Sequence, residues 1–444
     1  LFVSYQNGQG CKIKEQQNYL GQYMRVLIIG SSGVEHAIAN KLAADNSAEM
    51  IFVTPGNPGI EKVANCINIP ENQTNELLEF AMENMIDFTI ATSKTALEDG
   101  IVDKFRANNL LIFGPDLNSQ KITSQRSYAK KLCYKYKVPI TKFGVFEKEA
   151  AAVEFLKTAK YPVAIKLDSQ TPAVNTYICE TPVFAQQMIE PILSNDNKKV
   201  IIEEYLEGKD ITLSVITDGY NAVPLPACVS YFHAQNCGGG QMTKGTGAYA
   251  PATAISYETE GFIAGNIVFP IIDALNNEKT PYSGILTFRM KLTPQGQIFL
   301  TDIDSVLGNP EAQTILPLLE EDLLRIFYST AIGALGDDYE SFITNDKFSA
   351  TAMLLSGAYP FDFKQNFPIE IEPELDEDII VCQNQTIRNK YYETLTKGGR
   401  PVSVTALGST LNIAREKLYS AIDCINFENK RYRKDIAQNK VIEL

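Results

Sequence analysis

Two aspartates one residue apart, Asp302 and Asp304, close an apolar run that begins at Gln297 and precedes the turn Gly308-Asn309-Pro310-Glu311. Side chains alternate between the faces of an extended strand, so both carboxylates point the same way. Paired carboxylates on one face suit a hard divalent cation, which prefers oxygen ligands. Two solvated acids at a strand end would read the same. A second chemical signal sits near the start, where the apolar run Arg25–Gly30 (RVLIIG) ends in the turn Ser31–Gly33 and an amphipathic stretch follows from Glu35 to Ala44. Strand, glycine-bearing turn and helix form a unit whose ligands gather at the carboxyl ends of strands. The only two histidines, His36 and His233, are too few for a His-rich metal site. The eight cysteines are scattered without CxxC spacing, which argues against zinc or a disulfide framework and fits a reducing cytoplasm.

The elements that position these groups fall into three blocks. The 444 residues suit two to four domains, and the 45% hydrophobic and 21% charged fractions are those of a soluble globular protein. No apolar run approaches the ~20 residues of a membrane span, and the net charge of −13 argues against a nucleic-acid surface. No nucleic-acid or membrane partner is expected, and a cytoplasmic monomer is. Further apolar runs at Met50–Val53 and Asp87–Ala91 continue the βαβ pattern. From Ile122 the texture changes. A basic helix is expected over Ser124–Tyr136, strands at Pro162–Leu167 and Lys199–Glu204, and a helix between them at Thr181–Leu193. Hairpins are expected around Asp218-Gly219 and Pro294-Gln295-Gly296, and after Gly398-Gly399 a strand (Val402–Leu407) and a helix (Thr410–Cys424). The fold class is therefore mixed α/β and α+β. It comprises a doubly wound N-terminal domain (24–124), a larger middle domain (125–349, small lobe about 140–208) and a small C-terminal α+β domain (350–444). Leu1–Tyr23 lacks a signal-peptide pattern and is expected to be a dispensable leader, with Met24 the natural start.

Collinear segments then point to a family. RVLIIGSSGVEHAIA (Arg25–Ala39), TPGNPG (Thr54–Gly59), DGIVDKFRANNLLIFGP (Asp99–Pro115), IIEEYLEG (Ile201–Gly208), GTGAYAP (Gly245–Pro251), GNPEAQ (Gly308–Gln313), SGAYP (Ser356–Pro360), GGRPVSVTALG (Gly398–Gly408) and RYRKDIA (Arg431–Ala437) resemble, in order and spacing, the glycinamide ribonucleotide synthetases of the ATP-grasp superfamily. The resemblance implies an ATP-grasp middle domain. It implies a ligase of purine biosynthesis that phosphorylates glycine and lets the amine of 5-phosphoribosylamine attack the acyl phosphate, with ATP and Mg2+ (or Mn2+) as cofactors.

It also implies site residues. Arg126 and Lys166 match phosphate-binding positions, Glu203, Glu204, Tyr205 and Leu206 the adenine hinge, and Asp210 a ribose-binding carboxylate. Gly33, His36, Asn57 and Gly247 fall on substrate-binding segments, and Asp302 and Asp304 on the metal pair. Several positions depart from the pattern. Ser169-Gln170-Thr171-Pro172-Ala173-Val174-Asn175 replaces a glycine-rich, lysine-bearing phosphate loop, Val34 and Val306 replace arginines, and Thr92-Ser93-Lys94 replaces Gly-Pro-Glu. Ser230-Tyr231 replaces an Asp-His pair, with His233 out of register. The same departures also fit an alternative, a catalytically impaired or re-purposed relative that binds a nucleotide or joins another carboxylate and amine.

Overall fold

The computed structural model describes residues 24–169, 175–194 and 198–438. The leader and the centre of the phosphate loop, residues 170–174, lie outside them.

The N-terminal runs form strands β1 (Arg25–Gly30), β2 (Met50–Pro55), β3 (Asn65–Cys66), β4 (Phe88–Ala91) and β5 (Ile112–Phe113) of one parallel sheet, ordered β3-β2-β1-β4-β5. Val26–Ile29 of β1 are wholly buried, as a strand covered on both faces requires. The chain leaves β1 toward β2 on one side and β4 lies on the other, so a crevice opens at the carboxyl ends of β1 and β4. Helix α1 (Gly33–Ala44) begins two residues earlier than expected. Ser32 caps it, and the Glu35 carboxylate accepts from the Ser32 N–H at 2.8 Å in a reciprocal capping box.

The expected basic helix forms over Arg126–Lys135, starting two residues later than expected because of a break at Gln125. Gln125 takes an extended conformation between a short helix, Lys121–Ser124, and this one. The break follows from Asp168, whose carboxylate accepts from the N–H and hydroxyl of Ser127 at 2.7 and 2.9 Å and so caps the second helix at Arg126.

Four antiparallel strands make the small lobe: β6 (Phe143–Phe146), β7 (Val163–Leu167), β8 (Thr176–Cys179) and β9 (Val200–Glu204), ordered β6-β9-β7-β8. Helices Glu149–Thr158 and Pro182–Leu193 cover them through a core that includes Leu156, Ile165, Ile189 and Ile202. Thr181 and Pro182 start the second helix as cap and first residue.

Most of the remaining strands form one large sheet. Strands β10 (Lys209–Asp218), β11 (Ala222–Pro224), β12 (Cys228–His233), β13 (Met242–Ala250), β14 (Ser283–Leu292), β15 (Ile298–Asp304) and β16 (Phe348–Ser356) are joined by the C-terminal strands Val402–Gly408 and Ile379–Gln383. Both expected hairpins form, with Thr217 opposite Ala222 and Leu292 opposite Ile298. The C-terminal strands extend the middle sheet, because β13 pairs antiparallel with β16 and sets Gly247 against Ala352. A side chain at Gly247 would come within 2.4 Å of Ile436 Cδ1 and 2.9 Å of the Thr351 carbonyl, so only glycine fits that junction.

Candidate active site

The small lobe faces the large sheet across a cleft. Strand β9 ends in Glu203-Glu204-Tyr205-Leu206, which runs along one wall as the link to β10, and Ala164 and Ile178 of the small lobe and Phe232 and Met242 of the large sheet supply apolar surface. Asp210 lies in the same wall, 2.6 Å from the Lys291 ammonium.

Deeper in the cleft the charges are paired in a fixed order. Glu203 lines the cleft but is 3% exposed, with its carboxylate turned to internal partners. It accepts from Thr141 at 2.8 Å and from Lys130 at 3.1 Å, and the Lys166 ammonium lies 3.3 Å from its other oxygen at ion-pair distance without hydrogen-bond geometry. Burial opposes ionisation of Glu203, yet Lys130 and Lys166 outweigh it and hold the acid below its usual range. Lys166 also donates to the Thr301 carbonyl at 2.8 Å, joining the small lobe to β15.

Arg126 closes the base of the cleft. It donates to Asp302 through Nε and Nη2, and through Nη1 to the Leu167 carbonyl. Nη2 also reaches the Asn175 side-chain oxygen at 3.2 Å, so one guanidinium holds both ends of the segment between β7 and β8. Burial disfavours the Asp302 anion, but Arg126 and Lys166 hold its carboxyl well below the carboxylate range. Asp304 is gripped from two sides. Arg289 donates to one oxygen at 2.9 Å, and Lys94, the first residue of the short helix after β4, bonds the other. Burial again opposes the charge, and Lys94 and Arg289 again overcome it.

A second cleft lies at the carboxyl ends of β1 and β4. Ser31, Ser32, Thr92 and Ser93 line it with Glu35 and Glu71, and Asn309 and Arg400 close the far side. Arg400 spends its Nη1 on the carbonyls of Lys244, Gly245 and Asn309, at 3.1, 3.1 and 2.8 Å. Burial, and then the nearby Glu71, raise the Glu35 pKa, although Ser32 and Thr92 both donate to its carboxylate. The two clefts share Lys94, Lys244, Arg289 and Asp304 in their linings, so they meet at these side chains. Burial, reinforced by Lys94 and Arg400, lowers the Lys244 pKa to about 8. A bound anion would relieve that crowding.

Of the residues singled out from sequence, Arg126, Lys166, Glu203–Leu206, Asp210, Asp302 and Asp304 converge on the first cleft. The Glu203 carboxylate there is paired with Lys130 and Lys166. The four substrate candidates sit in packing positions. Gly33 donates its N–H to Asn384 at 2.7 Å, and a Cβ there would lie 2.1 Å from Gln313 Nε2. Asn57 holds its own turn by accepting from Gly59 and Ile60 at 2.9 and 3.1 Å. Gly247 lies at the sheet junction. The Nδ1 of His36 accepts from the Gln383 N–H at 2.9 Å, which places the proton on Nε2, and the ring lines a separate groove beside Lys62. His233 lines the first cleft and its Nδ1 lies 3.0 Å from the Gly240 carbonyl. Lys244, Arg289 and Lys291 were not visible as site residues in the sequence, and Lys94 showed only as a departure from the family pattern. Arg289 and Lys291 carried a signal, since two basic residues at period two in the apolar run Ile285–Leu292 must share a face.

The donor set fits a nucleotide, with an apolar slot and hinge backbone at one end and basic side chains at the other. It does not fit a divalent ion held by Asp302 and Asp304, because both carboxylates already carry cationic partners, and the one on Asp302, Arg126, is buried. Breaking such a pair from one side costs about 3–5 kcal/mol. Among the described residues, no group of three or more His, Cys, Asp or Glu side chains is placed to hold a metal.

A small antiparallel lobe closing over a large sheet, with basic side chains in the cleft between, defines an ATP-grasp protein. Models of the phosphoribosylglycinamide synthetase N, ATP-grasp (A) and C domains match residues 24–122, 124–312 and 349–439, and the chain belongs to that family. It is 33% identical over 422 residues to the phosphoribosylamine–glycine ligase of Caldanaerobacter subterraneus subsp. tengcongensis, covering 93% of this chain and 99% of the relative. It is 32% identical to that of Clostridium acetobutylicum, covering 94% and 100%. The solved phosphoribosylamine–glycine ligase of Thermotoga maritima superposes with a TM-score of 0.78 at 23% identity, over 93% of this chain and 99% of that one. A biotin carboxylase domain of Hydrogenobacter thermophilus, solved with ADP, its magnesium salt and bicarbonate, shares the fold at a TM-score of 0.69 and 14% identity, over 92% and 91%. ATP-grasp enzymes use ATP with a divalent metal ion.

Proposed function

We propose that this chain is an ATP-dependent carbon–nitrogen ligase that joins glycine to 5-phosphoribosylamine, giving glycinamide ribonucleotide, ADP and phosphate. The observation that carries this reading is the junction of the two clefts at Lys94, Lys244, Arg289 and Asp304. A ligase must bring a γ-phosphate, a carboxylate and an amine together, and two clefts that meet at a basic cluster suit that task. Relatives that share the whole length of the chain and carry this activity by name support the assignment.

In this reading the adenine lies between Ala164, Ile178 and the hinge backbone of Glu204–Leu206, and the ribose beside Asp210. The phosphates run toward Arg126, Lys166 and the shared cations. Ser31, Ser32 and Ser93 offer hydroxyl and backbone groups to the aminosugar in the second cleft. A glycine carboxylate oxygen attacks the γ-phosphorus, the bond to the bridging oxygen breaks and ADP departs. The amine then attacks the carbonyl carbon of glycyl phosphate, the C–O bond breaks, phosphate leaves with the transferred oxygen, and the amine proton passes to solvent. Lys94, Lys244 and Arg289 stabilise negative charge on the departing oxygens. A divalent ion, Mg2+ or Mn2+, would supply further charge neutralisation during phosphoryl transfer. The enzyme works on small molecules as a cytoplasmic monomer.

The test is ADP release with each substrate omitted in turn. Release that needs both glycine and phosphoribosylamine supports the ligase. Nucleotide binding without any turnover favours the re-purposed relative.

A further inference from the structure

We infer that Lys94 and Arg289 occupy the place at Asp304 where a divalent ion would bridge protein and polyphosphate, so a nucleotide binds this cleft with little dependence on metal. The inference rests on the nucleotide-binding reading above. It goes against the expectation that Asp302 and Asp304 are metal ligands.

Three observations carry it. Asp304 is 4% exposed and each of its oxygens has its own cationic donor, Arg289 at 2.9 Å on one and Lys94 on the other. Arg289 is held a second time, because its guanidinium also lies 4.8 Å from the centre of the Phe232 ring, and its strand is paired on both edges. Asp302 is bound to Arg126, whose other nitrogens are committed to Leu167 and Asn175. A divalent ion entering here must displace Lys94 or Arg289 from Asp304, and at Asp302 it must strand the buried Arg126 guanidinium without its counter-charge, which is the costly way to break a buried pair.

The same cations serve a polyphosphate directly. Lys94 comes from the N-terminal sheet, Arg289 from the large sheet and Lys166 from the small lobe, so a phosphate chain meets positive charge from all three sides of the cleft. Lys94 is also the position where the family pattern leads to an acid, and its charge is what closes the Asp304 site.

Calorimetric titration of the intact protein with ADP and with ATP, each in Mg2+ and in EDTA, tests this. Dissociation constants within about threefold of each other support the inference, since a lost charged contact would change affinity tenfold or more. Binding in Mg2+ that disappears in EDTA overturns it, while the nucleotide reading survives. Absence of binding in both buffers overturns the nucleotide reading itself and this inference with it. Titration of the nucleotide-free protein with Mn2+, followed by electron paramagnetic resonance, reads the carboxylates directly. No uptake at micromolar Mn2+ is expected, and stoichiometric uptake contradicts the inference. The double variant Lys94→Gln, Arg289→Gln should lose at least about tenfold in affinity in EDTA and less in Mg2+. If that variant does not fold, the wild-type titrations decide the matter alone.

Discussion

The guanidinium of Arg126 places Nε and Nη2 at 2.9 and 2.8 Å from the same oxygen of Asp302, and its Nη1 at 2.8 Å from the Leu167 carbonyl. One side chain therefore ties the start of its helix to the end of β7 and the end of β15. It fixes how the small lobe sits over the large sheet.

Removing either partner leaves a buried charge alone, at about 3–5 kcal/mol. Asp302→Ala is expected to destabilise the protein by about that much in urea unfolding, and so to act on the fold as well as the site. Arg126→Lys keeps the charge but not the fork, and should fall between wild type and Arg126→Ala in both stability and nucleotide affinity. An Asp302→Ala protein as stable as wild type would show that the pair contributes nothing to the fold.

Gly33 and Gly247 separate packing from ligand contact. Alanine at either site forces a Cβ to within 2.1 or 2.4 Å of a neighbour, and overpacking of this kind costs about 1–3 kcal/mol. Each variant should melt lower while binding nucleotide as wild type does. Weakened nucleotide binding at unchanged stability would return these glycines to the site.

His36 gives a pH signature. Burial first, and then Lys62, lower its pKa to about 4 in the fold, against an ordinary value near 6.5. The unfolded chain takes up the proton first. The contribution to stability is therefore present above about pH 6.5 and is lost as pH falls toward 4, amounting to about 3 kcal/mol. His36→Gln keeps an acceptor for the Gln383 N–H and removes the titration. Wild type should lose about 3 kcal/mol more than the variant across that window, and parallel pH curves would contradict the assignment.

Lys244 is expected to govern anion affinity in the opposite range. Its pKa is lowered to about 8 by burial and by Lys94 and Arg400, and a bound phosphate favours the ammonium form. Nucleotide affinity should fall as pH rises from 7 to 9. Lys244→Met should bind more weakly at pH 7 and lose that slope, and a slope kept in the variant would assign the titration elsewhere.

The features readable in the sequence were those set by local period or collinear pattern. Alternation put Asp302 and Asp304 on one side of β15, and both reach the cleft. The hinge after β9 was visible because a buried apolar strand runs straight into it. What governs those acids could not be read locally. Lys94, Arg126 and Arg289 arrive from three elements far apart in the chain, and only folding shows that they meet at one carboxylate pair. The surroundings of Glu203 and His36 were hidden for one reason. Their neighbours in sequence show a polar residue in a matching motif, whereas their neighbours in space, Lys130, Lys166 and the Gln383 backbone, show a buried group with partners inside the fold.

The most direct measurement of the central claim follows oxygen through the reaction. Glycine labelled with oxygen-18 in its carboxylate is incubated with the protein, ATP, Mg2+ and phosphoribosylamine, and the released phosphate is weighed by mass spectrometry. Ligation through glycyl phosphate moves one glycine oxygen to each phosphate formed, so phosphate carrying a single oxygen-18, in step with glycinamide ribonucleotide, is the expected result. Phosphate without label, or label-free ATP hydrolysis that ignores phosphoribosylamine, would contradict the account.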